Sequence, residues 1–315
     1  MGVSAIALGL GTDGTYVSAH VSPMSPISPM RRSAERQTPT RSRRSSRLST
    51  CLSAQTAKNS EMDFTAKTDL VTGAGSGIGR GIAETFSRLK ARVLLHDINP
   101  AASDLAGKIG AEFLPGDLSD PTAVRQLASA ALEKGGGRID ILVNNAGFQH
   151  IAQVEEFPEE TFTTMIQVML IAPFQLIRAT LPGMKQNGWG RIINVGSIHA
   201  VVASPFKSAY ISAKHGLLGL TRTVALEAAP FGVTVNAICP AYVRTPLVEK
   251  QIADQAQAHG LTADDVVQKI MLEPAAIKRL IEPSEVADFV AYLCSEPGAI
   301  ITGSAQMLDL GWTAR

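Results

Sequence analysis

Three side chains that could move a proton lie close together in the second half of the chain. Tyr210 and Lys214 are separated by three residues, so a helix would place the phenol and the ammonium on one face. Ser197 precedes Tyr210 by thirteen positions and supplies a hydroxyl. A free phenol titrates near pH ~10, and a neighbouring cation lowers that pKa. The set predicts acid–base chemistry at Tyr210, with Lys214 favouring the phenolate and Ser197 holding the substrate oxygen.

A glycine-rich turn is the second feature that could carry chemistry. It follows the apolar pair Leu70-Val71 and precedes a helical pattern, and it reads Thr72-Gly73-Ala74-Gly75-Ser76-Gly77-Ile78-Gly79. In a strand–turn–helix unit, glycines let the backbone approach a pyrophosphate, and the helix N-terminus offers free N–H groups. Such a turn alone is also common in ordinary loops. Its context here predicts a dinucleotide site.

Together with Asn144-Asn145-Ala146-Gly147, these features resemble the short-chain dehydrogenase/reductase family. The resemblance covers about residues 67–315. It implies hydride transfer with a nicotinamide dinucleotide and catalysis by Ser197, Tyr210 and Lys214. The cofactor-binding positions that it implies are Gly73, Ser76, Gly77, Ile78, Gly79, Asp97, Asp117, Leu118, Asn144, Gly147, Tyr210, Lys214, Pro240, Val243 and Thr245.

Two positions of this pattern are open to more than one interpretation. The family's fourth catalytic residue, an Asn that holds a water of the proton relay, falls at Met169 here. A thioether cannot hold that water, so either another polar group supplies the relay or the register differs. Asp117-Leu118 resembles the adenine-contacting step of the family, but Asp117 could equally cap a helix that begins near Pro121.

The choice between NAD and NADP depends on Asp97. This residue lies 24 positions after Gly73, at the end of the second predicted strand. A carboxylate there accepts hydrogen bonds from the ribose hydroxyls and repels a 2′-phosphate. Neither Ser76 nor Ile98, where NADP-preferring relatives often have a basic residue, is basic. The pattern predicts NAD as the cofactor.

The residues around Tyr210 resemble those of D-3-hydroxybutyrate dehydrogenases within the family. By that resemblance, Gln149, His199, Lys207 and Gln251 grip a small carboxylate, and Tyr242 closes the pocket over the methyl end where those enzymes often have Trp. A cation with amide and imidazole donors suits a carboxylate. The resemblance therefore implies reversible NAD-dependent oxidation of D-3-hydroxybutyrate to acetoacetate.

Two other functions stay open. A 3-oxoacyl thioester reductase of the same family would need NADPH and an open pocket for a carrier arm, and Asp97, His199 and Lys207 disfavour it. A non-catalytic NAD-binding sensor or scaffold usually lacks the tyrosine or the lysine, and this chain has both. Met169 is the one feature that favours the non-catalytic alternative.

Strand-like and helical segments alternate from residue 67 onward. The predicted strands are Asp69–Thr72, Arg92–His96, Glu112–Leu114, Ile139–Val143, Arg191–Val195, Val233–Ile238 and Ala305–Leu308. The alternation predicts an α/β fold, with a single Rossmann-type, doubly wound parallel sheet of about seven strands, helices on both faces and ligand sites at the carboxyl ends of the strands. Helical material at about 246–280 predicts a small lid, or else a plain surface helix pair.

Two details of these segments stand out. A long helix over 159–185 is expected to kink at Pro173, because proline lacks an N–H and clashes with the preceding turn. Asp69 falls inside the first strand, where an unpaired charge is costly.

Composition limits the partners. The chain has 315 residues, is 45% apolar and has a formal net charge of +1, which does not point to nucleic acid. Three widely spaced cysteines indicate a reducing compartment and neither a disulfide framework nor a metal site. No uninterrupted apolar run reaches the ~18 residues of a membrane span. We expect a cytoplasmic enzyme that acts on a small hydroxy acid. The enzyme is expected to form homo-oligomers, which the family resemblance implies are tetramers.

Residues 1–61 differ from the rest. They contain three Ser-Pro pairs and seven arginines, but only two acidic residues before Glu61. Such a composition buries too little apolar surface to offset the entropy of ordering, which predicts a disordered leader. The leader is either a transit peptide, which would place the protein in an organelle matrix, or the product of a start codon assigned too far upstream. The catalytic domain is expected to span 62–315.

Overall fold

The computed structural model describes residues 62–314 and two short strands near the N-terminus. The strands β1 (Leu8–Leu10) and β2 (Tyr16–Ser18) pair antiparallel and belong to a first compact unit. That strand pair apart, the predicted disordered leader lies outside the described residues. The second unit holds all the remaining elements.

A seven-stranded parallel sheet forms the centre of the second unit. Its strands run in the spatial order β5-β4-β3-β6-β7-β8-β9, and every neighbouring pair is parallel. Their bounds are β3 (Thr68–Thr72), β4 (Arg92–Asp97), β5 (Glu112–Pro115), β6 (Ile141–Asn144), β7 (Gly190–Val195), β8 (Val233–Pro240) and β9 (Ala305–Leu308). The predicted doubly wound fold and all seven predicted strands are confirmed, with ends that differ by two residues at most.

Helices cover both faces of the sheet, because successive apolar residues of a buried strand point to opposite sides. On β3, Val71 belongs to the core under one set of helices and Leu70 to the core under the other. The first set is α1 (Gly77–Arg88), α2 (Ala102–Ile109) and α9 (Pro283–Cys294). The second is α3 (Pro121–Lys134), α5 (Ala172–Gln186) and α6 (Ser208–Ala228).

The predicted long helix contains a wide turn before its proline. Helix α4 (Glu159–Ile166) passes into five π-helical residues, Gln167–Ile171, and then into α5, where Pro173 lies in the first turn. The helix continues through this point, since the N–H of Ala172 donates to the Gln167 carbonyl, so the missing N–H of Pro173 coincides with the wide turn directly before it. By length and composition, the continuous helix Glu159–Gln186 could cross a membrane, but 44% of its most apolar window is buried inside the protein.

A small helical layer with its own apolar core lies in the region predicted as a lid. It consists of α7 (Pro246–His259), α8 (Ala263–Val266) and a second π-helical stretch, Val267–Met271. Its buried residues are Val248, Ile252, Val266, Met271, Leu272, Ala275 and Leu280. Tyr242 and Trp312 pack against this core from the main body. The contacts therefore join this layer to the segment that follows β8 and to the C-terminus.

Candidate active site

A cleft of about 590 Å³ opens at the carboxyl ends of the strands, where the strand order reverses between β3 and β6. A reversal of this kind leaves a crevice between the loops that leave the two strands. Fourteen of the predicted catalytic and cofactor-binding residues line it: Gly73, Ser76, Gly77, Ile78, Asp97, Asp117, Leu118, Gly147, Ser197, Tyr210, Lys214, Pro240, Val243 and Thr245. Gly79 and Asn144 are not among the lining residues.

The glycine turn has the shape that a pyrophosphate requires. Gly73 and Gly77 have φ values of +62° and +54°, and a Cβ on Gly73 would lie 2.8 Å from Cα of Ala146. Ser76 precedes α1 without a side-chain cap, so it leaves the first N–H groups of the helix to a ligand. Gly79 serves packing instead, since a Cβ there would overlap the carbonyl oxygen of Gly73.

Asp97 is held in place at the edge of the cleft by two backbone groups. Its Oδ2 accepts a hydrogen bond from Gly75 N over 2.8 Å, and its Oδ1 accepts one from Asn99 N over 2.8 Å. The carboxylate therefore faces the glycine turn with a fixed orientation. A second anion placed beside this carboxylate would be repelled.

Of the two adjacent asparagines, the second contacts the glycine turn. Asn145 Nδ2 donates to the carbonyl oxygens of Thr72 and Gly73 at 2.9 and 3.0 Å. Asn144 points away from the cleft, and its Nδ2 donates to Asn194 Oδ1 on β7 over 2.8 Å. The predicted tie between strands therefore belongs to Asn144, and the approach to the cofactor loop belongs to Asn145, which the sequence motif could not separate.

The two interpretations of Asp117 are distinguished by its neighbours. Asp117 closes a turn by accepting a hydrogen bond from Ser119 N over 2.8 Å, and it lines the cleft. Asp120 is the residue that caps α3, through a 2.7 Å bond from Thr122 N. Asp117 is therefore available to a ligand rather than used as a helix cap.

The three proton-transfer candidates meet at the floor of the cleft. Lys214 Nζ donates to the carbonyl oxygen of Val195 over 2.7 Å, which ties α6 to the end of β7 just before Ser197. The same ammonium lies 5.5 Å from the ring centroid of Tyr210. Ser197 Oγ accepts a hydrogen bond from His199 N over 3.2 Å. All three side chains are buried or nearly so.

The pKa of Tyr210 differs from the sequence-based expectation. Burial raises the pKa of the phenol, the hydrogen bond with Ser197 acts in the opposite direction, and the nearby Cys239 raises it further. Burial also lowers the pKa of Lys214 to about 8. Lys214 is not among the groups that shift the Tyr210 pKa, and burial decides its direction in the protein without a cofactor. The expectation that Lys214 and a bound nicotinamide ring together lower this pKa stays a prediction.

Met169 does not take up a polar role. Its side chain is 1% exposed and packs in an apolar cluster with Phe157, Met165 and Ala209, against which Tyr210 lies. Its sulfur would be 3.1 Å from a Cβ on Gly147. The nearest buried polar side chain of the same turn, Gln167, donates to the Leu118 carbonyl instead. No described side chain of this turn replaces the asparagine of the relay.

The predicted substrate residues lie outside the cleft lining and bond to one another in pairs. Gln251 Nε2, on α7, donates to Gln149 Oε1 over 2.8 Å. His199 Nε2 lies 3.4 Å from Lys207 Nζ. The His199 ring stands edge-on to Tyr210, with centroids 6.2 Å apart. Within residues 62–314 no hydrogen bond joins the two pairs.

Charge and burial set the state of the second pair. Burial and then the Lys207 charge lower the pKa of His199 to about 4, against the raising effect of the Val202 carbonyl. Burial alone lowers the pKa of Lys207. His199 is therefore a neutral imidazole near pH 7, between the Lys207 ammonium and the Tyr210 ring. Tyr242 packs with Trp312 against the helical layer. Burial raises the pKa of the Tyr242 phenol.

Two further residues that sequence reasoning missed contact the loops of the cleft. His96 lies between the glycine turn and Gly116, and Gln167 lies beside Leu118. A histidine at the end of a predicted strand, directly before Asp97, was a signal for the first. Nothing in the pattern singled out Gln167, since the residues that it bonds are distant in sequence.

Known proteins resemble the chain over most of its length. A family model described as enoyl-(acyl carrier protein) reductase matches residues 73–313. A D-beta-hydroxybutyrate dehydrogenase of Rhizobium meliloti is 45% identical over 257 residues, 79% of this chain and 99% of the relative. An uncharacterized oxidoreductase, YxjF, of Bacillus subtilis is 44% identical over 78% of this chain and 98% of its own. A D-beta-hydroxybutyrate dehydrogenase of Cupriavidus necator is 41% identical over 79% of this chain and 98% of its own.

Proposed function

The chain belongs to the short-chain dehydrogenase/reductase family, and we propose that within this family of oxidoreductases it oxidises D-3-hydroxybutyrate to acetoacetate with NAD. Membership implies a nicotinamide dinucleotide, and the glycine turn and cleft fit one. The observation that carries the finer assignment is the pair His199–Lys207 beside Tyr210. Two relatives named for this activity support it.

The chain's own residues have separate tasks in this reaction. Ser197 holds the hydroxyl oxygen of the substrate, and Tyr210 accepts its proton as the carbonyl forms. Lys214 binds the nicotinamide ribose and favours the phenolate. A bound NAD would supply the hydride acceptor, and its positive ring together with the Lys214 ammonium would favour the phenolate of Tyr210, whose pKa burial raises.

The substrate carboxylate is assigned to the two side-chain pairs. The Lys207 ammonium supplies charge, and neutral His199 orients it. Gln149 Nε2 is buried without a hydrogen bond among the described residues, so it offers a donor to a carboxylate. Tyr242 limits the chain length of the acid. We also propose a cytoplasmic homo-oligomer, as the composition and the family resemblance imply.

NADH formation tests this proposal directly. The purified full chain is assayed with both enantiomers of 3-hydroxybutyrate and with NAD and NADP. We expect turnover with the D enantiomer and NAD. No activity with that pair, or a clear preference for NADP, contradicts the assignment. Reduction of a 3-oxoacyl thioester with NADPH would support the carrier-protein alternative, and NADH binding without any turnover would support a sensor.

A further inference from the structure

His96 joins two loops of the cleft through its imidazole ring. His96 is 2% exposed. Its Nδ1 accepts a hydrogen bond from Gly73 N over 3.5 Å, and its Nε2 lies 3.2 Å from the carbonyl oxygen of Gly116. A backbone N–H can only donate and a carbonyl oxygen can only accept. One neutral tautomer, with its proton on Nε2, satisfies both partners. The ring therefore connects the first glycine of the turn to the loop after β5.

Gln167 holds the same loop from another element. It is the first residue of the wide turn between α4 and α5, it is buried, and its Nε2 donates to the Leu118 carbonyl over 3.3 Å. Residues 116–118 are thus bonded at both ends by buried side chains. Asp117, between these bonds, turns its carboxylate to Ser119 N, and Leu118 lines the cleft.

We propose that His96 and Gln167 are positioning residues for the adenosine end of the dinucleotide, which hold Gly73 and residues 116–118 in the arrangement that the cofactor requires. The proposal rests on the use of a nicotinamide dinucleotide and is independent of which hydroxy acid is oxidised. Truncation of either side chain leaves its loop without a buried partner, so cofactor affinity falls while the proton-transfer residues stay in place.

Protonation of His96 would break one of its two bonds, because a protonated Nδ1 cannot accept the Gly73 N–H. Burial lowers the pKa of His96, while the Gly116 carbonyl, Asp97 on its own strand and Asp117 on the loop after β5 raise it. The glycine turn carries no titratable side chain. Both hydrogen bonds of His96 are therefore intact near neutral pH, and the bond to Gly73 weakens in acid, below the ordinary histidine pKa of about 6.5.

The test uses the full chain with His96→Ala, His96→Gln and Gln167→Ala, and measures the NADH dissociation constant by fluorescence, the KM for NAD, kcat and the melting temperature. His215→Gln, an exposed histidine on α6, and Gln186→Ala, an exposed glutamine at the end of α5, are matched controls. We expect each alanine variant to weaken NADH binding by about tenfold, as for a lost hydrogen bond that leaves a buried group unpaired. The KM for NAD rises with it and kcat at saturating NAD is kept.

His96→Gln separates positioning from general stability. Its amide still donates to Gly116 O but does not titrate, so NADH affinity recovers partly at pH 7.5 and loses the wild-type decline in acid. Unchanged affinity in His96→Ala, a loss confined to melting temperature, or the wild-type acid decline in His96→Gln overturns the proposal. A wild-type chain that binds neither NADH nor NADPH overturns it together with the proposed cofactor. A chain that binds NADH but does not oxidise hydroxybutyrate overturns the substrate assignment alone.

Discussion

The two halves of the site are built from different kinds of contact. In the dinucleotide half, which comprises the glycine turn, Asp97 and residues 116–118 and 145–147, most bonds join side chains to backbone groups, as in Asp97 to Gly75 N and Asn145 to Gly73 O. The half assigned to the substrate under the proposed function, called the substrate half below, comprises Gln149, His199, Lys207, Tyr242 and Gln251. Its two pairs, Gln149–Gln251 and His199–Lys207, join side chain to side chain.

This difference separates what the fold fixes from what a ligand must rearrange. Backbone positions follow from the sheet, so the dinucleotide half is complete before a ligand arrives. In the substrate half, the Gln149–Gln251 bond joins the main body to α7, and a carboxylate that enters must compete with it. Specific amide–amide bonds contribute only about 1 kcal/mol net, so a charged ligand can displace one.

The largest expected effect is a fall in kcat when the proton acceptor, Tyr210, is removed. Tyr210→Phe removes the phenol and should lower kcat by the ~10²–10⁴ of a positioned acid–base group. The NADH dissociation constant should stay unchanged, because Lys214 keeps its bond to Val195 O. Steady-state assays measure kcat, and an NADH titration measures the dissociation constant. Tyr292→Phe, on the surface of α9, is the control, and near-normal turnover in Tyr210→Phe would show that another group takes the proton.

The next effect should fall on the substrate half alone. Lys207→Met removes the ammonium beside His199 and should raise the KM for the hydroxy acid about 10–100-fold, as for a lost charged hydrogen bond. The pKa of His199 should rise, because the Lys207 charge is one cause of its depression. Initial rates with varied hydroxybutyrate and an NMR titration of the imidazole check the two outcomes. The matched control is Lys185→Met, which removes an ammonium that packs on Phe231. If Lys207→Met raised the KM for NAD as much as the KM for the hydroxy acid, the two halves would not be distinct.

A smaller change should fall on the dinucleotide half alone. Asp97→Ser removes the carboxylate that would repel a 2′-phosphate and should weaken NADH binding about tenfold. NADPH binding should improve, and the KM for the hydroxy acid should not move. Parallel titrations with the two reduced cofactors measure the ratio. If that ratio stayed constant, Asp97 would not set the cofactor preference.

The smallest effect on the site should come from a core residue that belongs to neither half. Asp69 is fully buried between Val93 and Ile141, and neither carboxylate oxygen has a hydrogen bond within the described residues. Asp69→Val should raise the free energy of unfolding by about 1–3 kcal/mol, the usual desolvation penalty of an unpaired buried group. Both dissociation constants should stay the same.

The pH dependence of that gain has a definite sign. Burial raises the pKa of Asp69 well above 3.8, so the folded state keeps a proton that the unfolded state loses. Wild-type stability from this residue is therefore full below the unfolded pKa and falls as pH rises through the window up to the folded value. Urea unfolding at pH 4 and pH 8 should show a larger benefit of Asp69→Val at pH 8. An equal benefit at both values would mean that Asp69 is not protonated in the fold.

The sequence predicts the dinucleotide half well because its determinants are local. Strand–turn–helix order and the short apolar runs of β3 and β4 place the glycine turn and Asp97 at one edge of the sheet. The substrate half depends on contacts across 102 residues, as between Gln149 and Gln251, and no local pattern contains them. The pKa of Tyr210 was missed for a related reason, since burial is a property of the packed domain.

The wide turn of residues 167–171 has a consequence for how this helix is compared with others. A π-helical turn contains one residue more than the α-helical turn that it replaces, so the residues on either side keep nearly the same phase around the helix axis. An ordinary helix that lost one residue would rotate everything beyond the gap by about 100°. Here a one-residue deletion would leave α5 facing the sheet as before. Position 169 therefore has two equally valid counterparts in an unbroken helix, one counted from Glu159 and the other counted back from Pro173.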